Sequence, residues 1–400
     1  MSDKPRSEVI LVIDDEEPVR RALGQILTDE GYSVVSAGSG EDAIETAVDS
    51  GPDAIFLDVW LPGIDGLETL RLLRERNVNA PVIMISGHGT IETAVRATKL
   101  GAYDFVEKPV SLERVLLVTA NALKQARLER RNRALRAQLR REAEFLGSSR
   151  AIERLRTALA EAAEGGPVLL FGEKGTGRRL AARWLALHGP HPEGPFLDVQ
   201  ASALPRERLI RALYGDPGLA PGQEPGRLLL ADEGTLYIEN ADTLPAAVQA
   251  SLEAGIKSGT FPVPGSRRTV RSEPRLVLAL LEAPEKLVEA GKLSGEFLAL
   301  FTHTIEIPPL RERIADLPDL AERFLDEISR EYARDDLTLS PQAVENLLAY
   351  DWPGNVGELK RVIERLVLLA SGPVIQPREL PVLIGGRGEE SRGRQGESLL

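Results

Sequence analysis

Ala54-Ile-Phe-Leu-Asp58-Val-Trp-Leu-Pro-Gly-Ile-Asp-Gly66 is a short apolar run that ends on a carboxylate and breaks into a Pro/Gly turn. Consecutive apolar residues suit a strand covered on both faces, as in a parallel sheet. The same unit recurs on either side. Val9–Ile13 precedes Asp14 and Asp15, and behind it Glu17–Glu30 carries Val19, Leu23, Ile26 and Leu27 at helical spacing before Gly31. Ser33–Ala37, Val82–Ile85 and Asp104–Val106 read as three further strands with helices between them, Gly40–Ser50 among these. Five βα units over residues 8–125 predict an α/β fold, a doubly wound, flavodoxin-like parallel sheet. Such sheets hold ligands at the carboxyl ends of their strands.

Those strand ends carry chemistry. Asp14 and Asp15 follow the first strand, Asp58 the third, Ser86 the fourth and Lys108 the fifth, so all five converge on one rim. Three carboxylates make a hard oxygen site suited to Mg²⁺. With charge neutralised, a phosphoryl group can approach Asp58, which attacks as the nucleophile and becomes an acyl phosphate. Lys108 would hold a phosphoryl oxygen, and the Lys108–Pro109 bond is expected to be cis. A lone Asp-Asp pair reads as a solvated helix cap; agreement at five positions sets that reading aside. The strings VIDDEE, FLDVWLPGIDG, MISGHG and GAYDFVEKP resemble the response-regulator receiver family. The resemblance implies a sensor histidine kinase as partner, and the main-chain carbonyl of Trp60 as a further Mg²⁺ ligand. It also implies that Ser86 turns toward the phosphoryl oxygens while Phe105 changes rotamer. The charge added on phosphorylation would then bias a surface on the fourth helix, fifth strand and fifth helix.

The 400 residues suffice for two or three domains. Without cysteine there is no disulfide framework, no Cys-based zinc site and no thiol nucleophile. The four histidines, His88, His188, His191 and His303, lack metal-ligand spacing. No stretch approaches the roughly 18 apolar residues that span a bilayer, and the N-terminal apolar run ends in acids rather than a cleavage site. A cytoplasmic protein without a membrane partner is expected. A net charge of −12 weighs against direct DNA binding. Residues 110–146 form one long helical pattern without interior Gly or Pro. Leu128, Leu135, Leu139 and Leu146 fall on a seam that also holds Asn132 and Glu142. The spacing predicts a short coiled coil over 126–146 that pairs two chains; a solvated linker helix is the other reading.

Beyond Gly147 a second α/β pattern begins. Val168–Phe171, Thr235–Ile238 and Arg275–Leu281 read as strands, and 311–383 as mainly helical. The first strand runs into Gly172-Glu-Lys-Gly175-Thr176-Gly177-Arg178-Arg179, the pattern of a P-loop whose N–H groups cradle phosphates at a helix N-terminus. The lysine that should follow Gly177 is Arg178, a bulkier planar fork. The strings FLGSSRAIERL, GEKGTGRRLAARWLALHG, GPFLDVQASALP, LYGD, PGRLLLADEGTLYIEN, IPPLRERIADLP and WPGNVGELKRVIERL are similar, in order, to the AAA+ module of NtrC-type (NtrX-like) activators, which remodel sigma-54 RNA polymerase using ATP.

Measured against that family, several chemical positions are altered. Its Asp-Glu pair reads Glu239-Asn240, and Asn240 cannot accept a proton from water. Its polar sensor falls on Leu281 or Glu282. Its arginine fingers fall in Lys292–Phe301, which contains no arginine, and its lid arginine is Gly357. Its GAFTGA loop is replaced by the shorter segment Asp216–Pro225, and its helix-turn-helix is not found behind the lid. The expected domains are a receiver (1–125), a linker helix (126–146), a degenerate AAA+ subdomain (147–310), a helical lid (311–383) and a disordered tail (384–400). Gly172, Gly175, Thr176, Gly177, Arg178, Arg179 and Glu239 form the altered nucleotide site, with ATP or ADP as its candidate ligand. Two readings stay open. In one, the AAA+ half no longer hydrolyses ATP and acts through protein contacts, in a homodimer, a higher oligomer or a mixed assembly with another NtrC-type activator. In the other, the chain is a divergent but active ATP-dependent activator without its own DNA-binding domain.

Overall fold

Runs such as Ile10–Ile13, Ala54–Leu57 and Val82–Ile85 are fully buried, and they form the centre of a five-stranded parallel sheet. The elements are β1 (Val9–Ile13), α1 (Glu17–Asp29), β2 (Ser33–Ala37), α2 (Gly40–Ser50), β3 (Ala54–Asp58), α3 (Gly66–Glu75), β4 (Val82–Ser86), α4 (Ile91–Lys99), β5 (Asp104–Glu107) and α5 (Leu112–Glu142). The strand order is β2-β1-β3-β4-β5. Alternate strand residues feed two cores. Leu11, Ile55, Leu57 and Met84 pack with α2 and α3 on one face; Ile10, Val12, Phe56 and Ile85 pack with α1 and α5 on the other. Each such buried side chain contributes about 1.5–3 kcal/mol. The doubly wound α/β fold is as the sequence predicts.

The structure is a computed structural model that describes residues 8–87, 91–216, 224–334 and 336–380. His88, residues 217–223 of the Asp216–Pro225 segment, and the 384–400 tail lie outside the described residues. Two compact units divide the chain, Met1–Gln138 and Leu139–Leu400. Within the first, α5 is tied to the base of its own sheet. Arg127 forms a two-pronged ion pair with Glu8, both contacts at 2.7 Å, and Arg130 pairs with Asp53 at 2.6 Å. Leu128 and Leu135 are left exposed on α5. The helix stops at Glu142, so Leu146 is not its last seam residue as the spacing predicts. Leu146 instead packs against the lid core of the second unit.

That unit contains α6 (Arg150–Ala163), β6 (Val168–Phe171), α7 (Arg178–His188), β7 (Phe196–Gln200), α8 (Arg206–Tyr214), α9 (Arg227–Leu230), β8 (Thr235–Glu239) and α10 (Ala246–Ser258). The hairpin β9 (Thr260–Pro262) and β10 (Thr269–Arg271) follows, then β11 (Arg275–Leu280), α11 (Pro284–Glu289), α12 (Gly295–Leu298) and β12 (His303–Glu306). The lid holds α13 (Leu317–Glu331), β13 (Thr338–Leu339), α14 (Pro341–Leu348), α15 (Asn355–Leu369) and β14 (Val374–Ile375). The main sheet is parallel, in the order β12-β6-β11-β8-β7. It has five strands where the apolar runs indicate three. The additional β7 and β12 are its edges; each has a single buried residue among partly or fully exposed ones instead of an apolar run. The lid has its own core around Trp352, Leu359 and Ile363.

Candidate functional sites

At the carboxyl rim of the first sheet, β1 delivers Asp14 and Asp15, β3 ends on Asp58, and β4 ends on Ser86. Asp14, Asp58 and Ser86 are buried, and Asp15 is exposed. Oxygens of Asp14, Asp15 and Asp58 lie within 4.8 Å of one another. Lys108 Nζ donates to Asp58 Oδ2, stands 2.8 Å from Asp14 Oδ2 and reaches Glu16 at 3.3 Å. Its main-chain N–H donates to the Ser86 carbonyl at 2.8 Å, and the Lys108–Pro109 bond is cis, as expected. The Trp60 N–H donates to Asp58 Oδ1 at 3.1 Å while its ring stays exposed. Phe105 is half-buried against the α2–α3 core.

The sequence between Asp58 and α3 follows from close packing. A Cβ at Gly66 would fall 2.0 Å from the Asp58 carbonyl oxygen, so only glycine lets α3 start beneath the loop. The Gly66 N–H donates to the Val59 carbonyl at 2.9 Å and completes the turn. Charge is balanced internally. Burial, and then the neighbouring Asp58, push the Asp14 carboxyl above the usual range, although the contacts of Lys108 and the Glu16 N–H pull it down. Burial disfavours the Lys108 ammonium, but Asp14 and Asp58 together outweigh it and hold its pKa above the ordinary lysine value. The donor set fits Mg²⁺: it is all oxygen, it carries excess negative charge, and Asp14 Oδ2 has no well-aligned hydrogen-bond donor. Glu16 was not singled out by spacing; it is the third acid on Lys108, beside Asp14 and Asp58.

In the second unit the P-loop leaves β6 through Gly172, Gly175 and Gly177, all at positive φ, and opens α7 with Arg178 and Arg179. Thr176 is buried, and its hydroxyl donates to the Glu173 carbonyl at 2.9 Å. Arg178 is folded back beneath the loop and reaches Glu239 at 3.5 Å, whereas Arg179 points away and pairs with Asp198 at 3.0 Å. Asn240 Nδ2 donates to the Ser202 hydroxyl at 2.7 Å. Leu281 and Glu282 are exposed just past β11.

The lid grips the loop from outside, and three of its gripping residues, Arg311, Arg313 and Asn355, were not flagged by motif spacing. Arg311 forms a two-pronged pair with Glu173 at 2.6 and 2.9 Å. Asn355 Nδ2 donates to Glu173 and to the Lys174 carbonyl, both at 3.1 Å. The Arg313 guanidinium, which burial pushes down to about 10, donates to the Thr176 carbonyl at 2.9 Å. The Gly357 N–H donates to the Gly175 carbonyl at 3.2 Å. A Cβ on Gly175 would meet the Gly354 carbonyl oxygen at 2.2 Å, so the backbones of loop and lid touch there. The strings IPPLRERIADLP and WPGNVGELKRVIERL held these residues, but only the fold aims them at the loop.

Residues 10–120 match the family described as Response regulator receiver domain, 145–305 the Sigma-54 interaction domain, and 311–396 the AAA+ ATPase lid domain. The chain is 36% identical to the nitrogen assimilation regulatory protein NtrX of Azorhizobium caulinodans, over 91% of this chain and 81% of that protein. It is 33% identical to the regulatory protein AtoC of Escherichia coli, over 93% and 83%. A crystal structure of NtrX from Brucella abortus in complex with ATP superposes with a TM-score of 0.75 at 31% identity, covering 95% of this chain and 85% of that one.

Proposed function

Because the chain belongs to the NtrC/NtrX-type two-component response regulators, a receiver followed by a sigma-54 interaction domain, we propose that its receiver is the working chemical site and its AAA+ half a protein-binding output. A sensor histidine kinase supplies the phosphoryl group, and Asp58 takes it as an acyl phosphate. Asp14, Asp15, Asp58 and the Trp60 carbonyl would hold Mg²⁺, whose positive charge offsets that of the acids and the incoming phosphate. Lys108 leaves its ion pairs to meet a phosphoryl oxygen, and Ser86 and Phe105 pass the change to the α4–β5–α5 face. Paired receivers and α5 helices, joined through Leu128 and Leu135, then present or hide the AAA+ surface. Its targets are a second NtrC-type subunit or another protein in transcription control, in the cytoplasm; direct DNA contact is not part of this reading.

The contrast between the two sites carries the reading. The first rim has the oxygens of its three aspartates in mutual reach, with Lys108 against Asp14 and Asp58. The second pairs its cation with its own acid, has Asn240 where a base is needed, and has no arginine in Lys292–Phe301. Full-length protein should take label from acetyl phosphate with Mg²⁺ and lose it in Asp58→Ala, while releasing no phosphate from ATP above background. Labelling that survives Asp58→Ala, or ATP turnover, overturns it. The second reading, a divergent active ATPase, draws on the intact glycine loop and on the ATP complex of Brucella NtrX.

A further inference from the structure

A lysine after the last loop glycine would offer one ammonium to a phosphate. Arg178 at that place is spent elsewhere. Its side chain is 4% exposed although it opens a helix. One guanidinium nitrogen donates both to the Gly172 carbonyl and, at 2.9 Å, to the Leu280 carbonyl at the end of β11. The other nitrogen reaches Glu239 Oε1 at the end of β8, at 3.5 Å. The guanidinium thus ties the loop after β6 to the ends of the next two strands across the sheet. The cation that would face phosphate and the carboxylate that would face a metal are paired with each other.

The loop itself keeps its glycine geometry, with positive φ at Gly172, Gly175 and Gly177. Weak nucleotide binding would therefore come from a competitor inside the site and not from loss of the cradle. We propose that Arg178 and Glu239 form an internal latch that competes with a nucleoside diphosphate or triphosphate for the P-loop. Phosphate enters only when the guanidinium leaves Gly172, Leu280 and Glu239. This deepens the reading of the second half as an altered nucleotide site and rests on it. It also inverts the usual sign. In an ordinary P-loop, tampering with the cation or the acid weakens nucleotide binding. Here, shortening or unpairing the cation strengthens it.

The test is a fluorescence titration of full-length wild type, Arg178→Lys and Glu239→Gln with mant-ADP and Mg²⁺. Arg178→Lys should bind about tenfold tighter than wild type, the gain expected from releasing one charge-assisted contact. Glu239→Gln keeps both carbonyl contacts and should bind about threefold tighter, since it removes only the weakest limb of the latch. The double variant should gain less than the product of the two, because both act through one latch. Affinity that falls or stays level in both single variants overturns the latch, as does absence of binding in both while they remain folded. Should Arg178→Lys not fold, as judged by its melting curve, Glu239→Gln decides alone. Phosphate release is a separate readout: turnover by wild type sinks the degenerate-site reading, whereas level affinities sink the latch and leave that reading standing.

Discussion

Replacing Lys108 by methionine should make the receiver depend on protons or metal for its stability. Asp14 is fully buried, the Asp58 side chain is 4% exposed, and both face the Lys108 ammonium. Removing one partner of such a buried pair costs about 3–5 kcal/mol. The Lys108 side chain is 17% exposed, so the lower end, about 3 kcal/mol, applies. At about 1.4 kcal/mol per decade this is a factor of roughly 150 in protection from exchange. Hydrogen exchange by mass spectrometry, corrected for intrinsic rates, reads it in peptides covering β1 and β3 at pH 7 in EDTA. The pH dependence has a definite sign. The Asp14 carboxyl already lies above its ordinary value, and without Lys108 it rises further. The folded variant then binds more protons than the unfolded chain, so its stability falls as pH rises and recovers as pH drops toward the ordinary aspartate value of about 3.9. Added Mg²⁺ should restore it in the same way. Wild-type protection in the variant, or a deficit equal at pH 5 and pH 7 and indifferent to Mg²⁺, would refute the view of Lys108 as the counter-charge of the acids.

Three further outcomes are expected. Gly175→Ala places a Cβ at φ +82 and against the Gly354 carbonyl; the left-handed backbone alone costs about 1–2 kcal/mol, and faster exchange in α15 would register the loosened lid. Glu173 is held below the usual carboxylate range by hydrogen bonds from Arg311 and then Asn355. Its contribution to the lid clasp is complete above the ordinary glutamate value of about 4.3 and is lost as pH falls through the lower folded value. Glu173→Gln should abolish that dependence in a pH series of lid exchange. Finally, Arg127→Ala with Arg130→Ala removes two partly exposed pairs worth about 0.2–1 kcal/mol each. Exchange should rise less than about thirtyfold in α5 beyond Leu123 and stay unchanged in β1 and β3; equal protection throughout α5 would show that the pairs do not anchor it.

The first site was legible because each of its residues closes or follows an apolar strand, and the parallel order β2-β1-β3-β4-β5 brings all those ends to one rim. Edge strands were harder: β7 and β12 mix polar and apolar residues, so no continuous run marks them. Leu146 fits a heptad count, but the helix stops at Glu142 and the leucine finds the lid core. Glycine spacing gave the P-loop but not the direction of Arg178, which is set by carbonyls and a carboxylate as far as 102 residues away. The lid clasp is less readable still, since Glu173 and Asn355 are 182 positions apart.

The placement of the three tryptophans gives the molecule an optical gauge of its own. Trp352 is sealed in the lid and Trp184 stacks on His188 with ring centroids 4.2 Å apart, whereas Trp60, two positions from Asp58, is 64% exposed. Trp60 should emit furthest to the red and be reached first by dissolved quenchers. The acids beside it will draw caesium and repel iodide, and that contrast should shrink as their charge is neutralised. Occupancy of the rim thus becomes a colour and quenching ratio, readable in the intact chain without any label.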